Sequence, residues 1–449
     1  MKNKKNIDFT QGNLYKAVLL FTIPMMIGNI FQQGYNFVDS YVVGNFLGKN
    51  ALAAAGSCTS ILHALTSFFS GISLALNIEI SKMNGAGDNR KMKSAIETGI
   101  ISSIVFGLFA TAMALLFGSK ILHLINVKDS IFADAHKYYS FYMLGTVFNH
   151  TYNMGASVLR GVGDSRNPII ALVISSISNI VLDLVFILGL KTGVEGTAIA
   201  TAIAQGISAM YILSKIIRFP EAEINLLNMH MDFDALKRFL KLGLPVGIQN
   251  TLVMLSGTFG QSYVNLNSEG FIAGYSVANR IEMLVMTIMN AFQTATATVV
   301  SQNMGANKYE RVRESLKVII LTSLALAYTI AAILFVIAPV AVSIFNKDPE
   351  VVKYGTICIR YVVFFMPLIT ISHTFNHAVR SAGNTTIPML MTVANYTIVK
   401  TSYLYFGYKY IGTFYVVLQS IIISYLFADL ISVLYFRFSK FTKDAKLRV

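Results

Sequence analysis

Two aspartates lie inside long apolar stretches in the first half of the sequence. Asp39 is near the end of the first apolar run, and Asp183 is midway through the segment NIVLDLVFILGL, with no basic residue close in sequence. A carboxylate in hydrocarbon costs about 2.5–3.5 kcal/mol on insertion scales, so such an acid usually faces inward and has a function. A carboxyl group buried in this way can exchange a proton near neutral pH. The chemistry indicated is reversible uptake of a proton or a cation.

Polar side chains accompany both acids at helical spacing. Residues three or four positions apart lie on one face of an α-helix, so each set forms a single polar stripe directed away from lipid. Two stripes that contain acids predict a shared polar pocket. The stripe in the first run consists of Asn29, Gln32, Asn36 and Asp39. The stripe in the fifth run consists of Ser175, Asn179 and Asp183.

Several of these residues also have a purely structural interpretation. Asp39 could lie at the water-exposed end of its helix, where a carboxylate costs little. Asn179 could simply hydrogen-bond a neighbouring helix. Asn153 in the fourth run and Thr201 in the sixth could complete the pocket, although such residues are also common between packed membrane helices.

The sequence as a whole is that of an integral membrane protein. Only 13% of its 449 residues are charged and 54% are hydrophobic, whereas soluble chains carry roughly 25% charged residues. Apolar runs of about 20 residues, the length that crosses the hydrocarbon core, recur along the whole chain. The predicted fold class is therefore an all-α integral membrane protein with twelve transmembrane helices. The runs span residues 14–37, 57–80, 95–117, 137–158, 168–190, 194–215, 240–264, 274–300, 316–339, 354–379, 388–408 and 413–436.

The net charge of +14 is distributed as in a membrane protein rather than as in a nucleic-acid-binding protein. Most of the lysines and arginines fall in the loops on the side that carries both termini. Because basic loops stay in the cytoplasm, both termini are predicted to be cytoplasmic. We expect a multi-pass protein of the bacterial cytoplasmic membrane, with the lipid bilayer and no nucleic acid as partner.

The second half of the sequence repeats the first about 220 residues later. Each copy contains six runs, so both copies begin on the same side of the membrane, which indicates a parallel repeat. We therefore predict an N-lobe over residues 1–217, a cytoplasmic linker over 218–238 and a C-lobe over 239–449. The repeat pairs Arg160, Gly163 and Pro168 with Arg380, Gly383 and Pro388.

Four longer strings, two of which contain these repeated residues, together resemble the multidrug and toxic compound extrusion family, MATE. The strings are VLRGVGDSRNP, its second copy VRSAGNTTIP, the first-run pattern IPMMIGNIFQQGYNFVDSYVVGNFLG, and NIVLD. The resemblance implies a MOP-type fold of two pseudo-symmetric six-helix lobes. It also implies an antiporter that exports organic cations in exchange for H⁺ or Na⁺ by alternating access. Protonation of the acids from outside would then remove charge, let helix 1 repack against helix 5 and expel the cargo.

The resemblance is nearer to the proton-coupled, DinF-like branch of that family. The branch's helix 1 acid falls on Asp39, and its helix 5 Asn and Asp fall on Asn179 and Asp183. Its polar positions on helices 4 and 6 map onto Asn153 and Thr201. The NorM-like sodium branch carries acids on helices 7 and 10, and this sequence has no Asp or Glu in either run.

The second half offers polar groups of its own. Glu282 in the eighth run could be a second coupling group, or Arg280 could neutralise it internally. One face of the tenth run contains two histidines that could titrate or could simply hydrogen-bond. That face consists of His373, Asn376, His377 and Arg380.

Other functional classes fit less well. A flippase for lipid-linked saccharide precursors is the main alternative within transport, but several arginines are expected to line such a cleft. Only Arg280 and Arg360 lie within the predicted helices of this sequence. An intramembrane aspartyl protease would need a GxGD setting, and an ATP-driven pump would need a nucleotide domain; the sequence contains neither. We expect a monomeric transporter rather than an enzyme, with no catalytic residues, no metal-ligand set and no cofactor beyond the transported H⁺ or Na⁺.

Overall fold

The computed structural model describes residues 6–220, 223–225 and 228–447; within the first helix, the side chains of residues 35–37 and 39–41 are not described. The described chain is almost entirely helical. The first repeat forms α1 (Leu14–Val42), α2 (Gly48–Ala86), α3 (Asn89–Leu124), α4 (Asp129–Gly161), α5 (Arg166–Leu184) and α6 (Val194–Ile217). The second repeat forms α7 (Phe233–Val264), α8 (Glu269–Gly305), α9 (Tyr309–Ser343), α10 (Pro349–Val362), α11 (Ile369–Ser381), α12 (Thr386–Ala394), α13 (Lys400–Tyr410), α14 (Tyr415–Phe438) and α15 (Lys440–Asp444).

These helices confirm the predicted all-α membrane fold. Among the described residues, nine helices are long and apolar enough to cross a bilayer, or ten if α10 and α11 count as one bent span. The tenth predicted run is not a continuous helix, because α10 and α11 meet at 45° around the 3₁₀ turn Met366–Leu368. Pro367 in that turn lacks the N–H that a continuous helix would use. The eleventh run is likewise divided, into α12 and α13, by the π-helical turn Asn395–Val399.

The chain forms two compact units. Unit 1 contains Met1–Asp8 and Ile23–Gly243, and unit 2 contains Phe9–Thr22 and Leu244–Val449. The two long segments begin one residue before Pro24 and Pro245, which are equivalent in the repeat. The lobe boundaries predicted from the sequence, at residues 217 and 239, remain a prediction.

Each unit includes a segment from the other repeat, and hydrogen bonds or ion pairs hold that segment. In unit 2, the carbonyl oxygen of Phe9 accepts from Arg311 Nε at 2.8 Å and from Asn303 Nδ2 at 3.2 Å. In unit 1, Arg238 from the start of α7 forms an ion pair with Glu79 of α2, with 3.7 Å between Nε and Oε2.

The sequence repeat is visible in the turns that end α4 and α11. The N–H of Gly163 donates to the carbonyl of Arg160 at 3.0 Å, and the N–H of Gly383 donates to that of Arg380 at 2.9 Å. Both glycines have positive φ, +87° and +103°, a region that side chains with a Cβ rarely adopt. The geometry of the turn therefore explains why glycine recurs in both copies.

The turns that end α2 and α8 repeat in the same way. Gly87 and Asn307, which correspond in the two copies, have φ of +69° and +57°. Their N–H groups donate to the carbonyls of Asn84 and Met304 at 3.2 and 3.0 Å. Asparagine is the commonest non-glycine residue in this conformation, so the two copies meet the same backbone requirement with different residues.

The segment before α7 is held on α3 within unit 1. The Ser94 hydroxyl donates to Asp232 Oδ2 at 2.6 Å, and the backbone N–H of Ala235 donates to Oδ1 at 3.0 Å. The Asp232 N–H donates to Thr98 Oγ1 at 3.0 Å. The hydrogen bond from Ser94, followed by those from backbone N–H groups, lowers the pKa of Asp232 below its ordinary value of 3.8.

Candidate functional site

The polar stripe of α5 lies against α6 within unit 1. Asp183 and Asn179 are each only 1% exposed. The Asn179 amide donates to Thr201 Oγ1 on α6 at 3.2 Å, and the Thr201 hydroxyl donates to the Thr197 carbonyl at 2.9 Å. Asn179 and Thr201 are thus brought together by two helices that are separate in sequence, and Asp183 is buried one helical turn after Asn179.

Ser175 fixes the orientation of this face of α5. Its hydroxyl donates to the carbonyl of Ala204 on α6 at 2.8 Å, one helical turn before Asn179.

Asp183 lies just before the π-helical turn Val185–Gly189, which follows α5 directly. Such turns often occur at functional sites because they re-aim the backbone locally.

The site offers oxygen atoms in apolar surroundings. The Asp183 carboxylate can accept a proton, and the Asn179 amide and Thr201 hydroxyl are neutral hydrogen-bonding groups on the same side of α5. Ile177 and Val181, on the other side of α5, are each 53% exposed, as expected of a face directed towards lipid. Asp183 is thus a buried carboxyl group on a helix whose opposite face is apolar and exposed.

The other first-half candidates are placed differently. Asn153 on α4 donates to the backbone oxygen and side-chain oxygen of Asn149, at 2.8 and 3.0 Å, and these bonds stay within its own helix. Gln32 is on the exposed part of α1. The side chains of Asn36 and Asp39 lie outside the described residues, so their part in the pocket remains a prediction.

Glu282 belongs to unit 2 and has a partner that sequence reasoning missed. Its carboxylate accepts a hydrogen bond from the Tyr425 hydroxyl of α14. Among the described residues, Glu282 forms no ion pair with the neighbouring Arg280, which is exposed. Internal neutralisation by Arg280 is therefore not the arrangement found. Glu282 also lines a cavity of about 30 Å³, which is room for roughly two water molecules.

The polar face of α11 is hydrogen-bonded inside unit 2. His373 Nδ1 lies 2.7 Å from Gln293 Nε2, and His377 Nε2 lies 3.3 Å from Arg380 Nη1. Arg380, only 5% exposed, also donates to Gln249 Oε1 at 2.8 Å. Hydrogen bonding, one of the two interpretations of this face, is what the structure contains.

Asp429 on α14 is an intramembrane acid that the sequence reasoning overlooked. Its Oδ1 accepts from the backbone N–H of Ser372 at 3.0 Å, in the first turn of α11 after the break. The carboxylate therefore contacts the backbone of α11 directly after the break. The signal was present in the segment YLFADLISVL, where Asp429 interrupts an apolar run just as Asp183 does.

The model of one known protein family matches both repeats of this chain. The model of the MatE family matches residues 24–185 and 245–406, two stretches that begin at Pro24 and Pro245. Curated relatives match most of the chain at low identity. The probable multidrug resistance protein YpnP of Bacillus subtilis (strain 168) is 27% identical over 442 residues, covering 97% of this chain and 98% of that protein. The multidrug export protein MepA of Staphylococcus aureus (strain MW2) is 23% identical over 389 residues, 85% of each chain.

Solved structures share the fold across the whole chain. A MOP superfamily transporter from Pyrococcus furiosus superposes with a TM-score of 0.89 at 23% identity, covering 97% of this chain and 98% of that one. A second structure, described as the outward-facing conformation of a multidrug resistance MATE family transporter, gives a TM-score of 0.90 with the same identity and coverage.

Proposed function

The chain belongs to the MatE family, and we propose that it is a secondary antiporter which exports organic cations across the cytoplasmic membrane in exchange for protons. The relatives named as multidrug resistance or multidrug export proteins support drug-like cargo. The family match and the long apolar helices support transport through a bilayer rather than catalysis.

The single observation that carries the coupling proposal is the burial of Asp183 on α5. An acid that is 1% exposed on an apolar helix is costly to keep charged, and protonation removes that cost. The nearby Asn179–Thr201 hydrogen bond supplies neutral polar groups that tolerate either protonation state. Asp183 is therefore the proposed proton carrier, with Asn179 and Thr201 as positioning residues.

In the proposed cycle, proton and cargo depend on the same negative charge. A deprotonated Asp183 favours a bound organic cation in unit 1, and a proton arriving from outside removes that attraction and releases the cation. Asp39 on α1 is the proposed second acid, and two carboxyls that share one pocket would titrate as a pair. Return to the inward-facing state delivers the proton to the cytoplasm.

Two alternatives are disfavoured. A lipid-linked saccharide flippase does not agree with relatives named for multidrug resistance and export. Sodium coupling is less favoured than proton coupling, because this sequence has no acid on α7 between Leu244 and Val264 and none on α10 or α11 beyond Glu350 at the start of α10. Sodium and protons are distinguished directly by the experiment below.

The test is counter-transport of ethidium, a fluorescent organic cation, in proteoliposomes with either an imposed pH gradient or an imposed sodium gradient. We expect the pH gradient alone to drive ethidium movement and Asp183→Asn to abolish it. Transport driven only by sodium would contradict proton coupling, and undiminished proton-driven transport by Asp183→Asn would remove Asp183 from the mechanism.

Two matched variants in unit 2 control for the loss of any intramembrane acid. Glu282→Gln and Asp429→Asn also remove one buried or half-buried carboxylate each, and each retains an acceptor oxygen for its partner. We expect both to retain proton-driven transport. If either variant behaves like Asp183→Asn, the coupling site is not confined to unit 1.

A further inference from the structure

Unit 1 contains an open, basic cavity at the ends of α5 and α6, separate from the candidate site. Its volume is about 400 Å³, within the range of small-ligand pockets and far above the space that a single water needs. The wall is formed by the start of α5, the end of α6 and the residues that follow it. Three of the wall residues are basic: Arg166, Lys215 and Arg218.

The acidic wall residue, Asp164, is already engaged by the turn before α5. Its Oδ1 accepts from the backbone N–H groups of Arg166 and Asn167 at 3.0 and 3.1 Å, and its Oδ2 accepts from the Asn167 amide at 2.5 Å. In the part of the chain that the structure describes, none of the three basic side chains is within ion-pair distance of an acid. The cavity therefore carries an excess of positive charge.

One basic group, Lys215, lies beside a contact between the two helices. The Tyr211 hydroxyl of α6 donates to Asn167 Oδ1 of α5 at 3.0 Å. Lys215 Nζ lies 4.8 Å from the centre of the Tyr211 ring, which holds the ammonium group beside the junction of the two helices. Ile170, 44% exposed, continues the same wall one turn further into α5.

A general topology signal does not explain this arrangement. Such a signal requires basic residues somewhere in a cytoplasmic loop, without convergence on a cavity. The second copy has the same turn, but neutral residues occupy the equivalent positions: Asn384, Thr386 and Ile387 stand where the first copy has Asp164, Arg166 and Asn167. Arg166, one of the two arginines of the cavity, therefore has no basic counterpart in the second copy.

We propose that this cavity binds a phosphate group, either in the headgroup of an anionic lipid or as free phosphate. Arginine side chains bind phosphate oxygens with two parallel hydrogen bonds, and lysine adds a point charge. Basic pockets at the ends of membrane spans suit anionic headgroups, and the exposed Ile170 offers a surface for the attached acyl chain.

The absence of tryptophan from the sequence makes this proposal testable by fluorescence. Ile170→Trp places a single fluorophore on the cavity wall. Leu390→Trp, at the equivalent and similarly exposed position of the second copy, is the matched control. Each variant is placed in phosphatidylcholine vesicles that contain increasing fractions of phosphatidylglycerol with brominated acyl chains, or of brominated phosphatidylcholine.

We expect brominated phosphatidylglycerol to quench Ile170→Trp at a roughly tenfold lower mole fraction than brominated phosphatidylcholine, and to quench Leu390→Trp without such preference. Adding Arg166→Gln and Arg218→Gln should remove the preference. Adding Arg437→Gln and Lys440→Gln, which removes the same charge from the exposed end of unit 2, should leave it intact.

A second arm identifies the source of the phosphate. Inorganic phosphate is titrated onto Ile170→Trp in vesicles of phosphatidylcholine alone. A saturable change in emission that Arg166→Gln and Arg218→Gln abolish, without any lipid preference, would assign the cavity to free phosphate. If neither arm gives a response that depends on these two arginines, the proposal is wrong.

Discussion

Gly163→Ala is expected to destabilise unit 1 more than Gly383→Ala destabilises unit 2, although both replace the same residue of the same turn. Both glycines have positive φ, where an alanine costs about 1–2 kcal/mol. The two sites differ in what the new Cβ would meet. At Gly383 nothing lies within 4 Å, whereas at Gly163 the Cβ would be 2.1 Å from the carbonyl oxygen of Ile7.

The clash gives the size of the difference. Ile7 must move to accommodate the methyl group, and its N–H would then lose the 3.2 Å hydrogen bond to the Gly163 carbonyl. A lost hydrogen bond of this kind costs about 1 kcal/mol. The free energy of unfolding should therefore fall by about 1–2 kcal/mol for Gly383→Ala and by about 1 kcal/mol more for Gly163→Ala.

The two buried free cysteines, one in each unit, provide the assay. Cys58 is 0% exposed in unit 1 and Cys358 is 3% exposed in unit 2, so each reacts with a thiol-specific fluorophore when its unit opens. Thermal unfolding in detergent is followed with only one cysteine retained at a time. Equal losses in the two units, or a larger loss for Gly383→Ala, would refute the argument from the Ile7 contact.

Three further predictions concern polar contacts. Ser94→Ala should lower the thermal midpoint at pH 7 but much less at pH 3. The lowered pKa of Asp232 contributes stability that is present above about pH 4 and is lost as pH falls. A loss of the same size at pH 3 as at pH 7 would contradict this. Tyr425→Phe should destabilise the protein by about 1–3 kcal/mol, because the Glu282 carboxylate loses its hydrogen-bond donor. Adding Glu282→Gln to this variant should recover part of the loss in a thermal scan. No recovery would argue against the pairing. Asn267→Ala should lower the free energy of unfolding by about 1–2 kcal/mol, because the Asn267 amide donates to two carbonyls at the end of α7. A thermal midpoint equal to that of the unmodified protein would show that these bonds are dispensable.

Much of the architecture follows from local rules that can be read in the sequence. Hydrophobic runs of bilayer length predict the helices, and the spacing of Ser175, Asn179 and Asp183 predicts that they share a face. The structure places that face against α6, where Asn179 meets Thr201. The turns at Gly163 and Gly383 are predictable for the same reason, because a left-handed backbone position requires a particular residue type.

Partners that are distant in sequence could not be predicted. Periodicity indicates which face of its own helix Glu282 occupies, but its partner Tyr425 is 143 positions away and is fixed only by packing. Asp429 and Ser372 are 57 positions apart, and their contact depends on the break between α10 and α11. A single polar residue in each run contains no information on which other run it will meet.

The segments that each unit takes from the opposite repeat limit how this gene could be divided. A polypeptide that stopped before Phe233 would lack Arg238 and therefore its ion pair with Glu79. One that began at Phe233 would lack Phe9 and its hydrogen bonds with Arg311 and Asn303. Each half expressed alone is therefore expected to lose contacts that its unit makes in the full chain, and the two units are held together in sequence by exchanged segments.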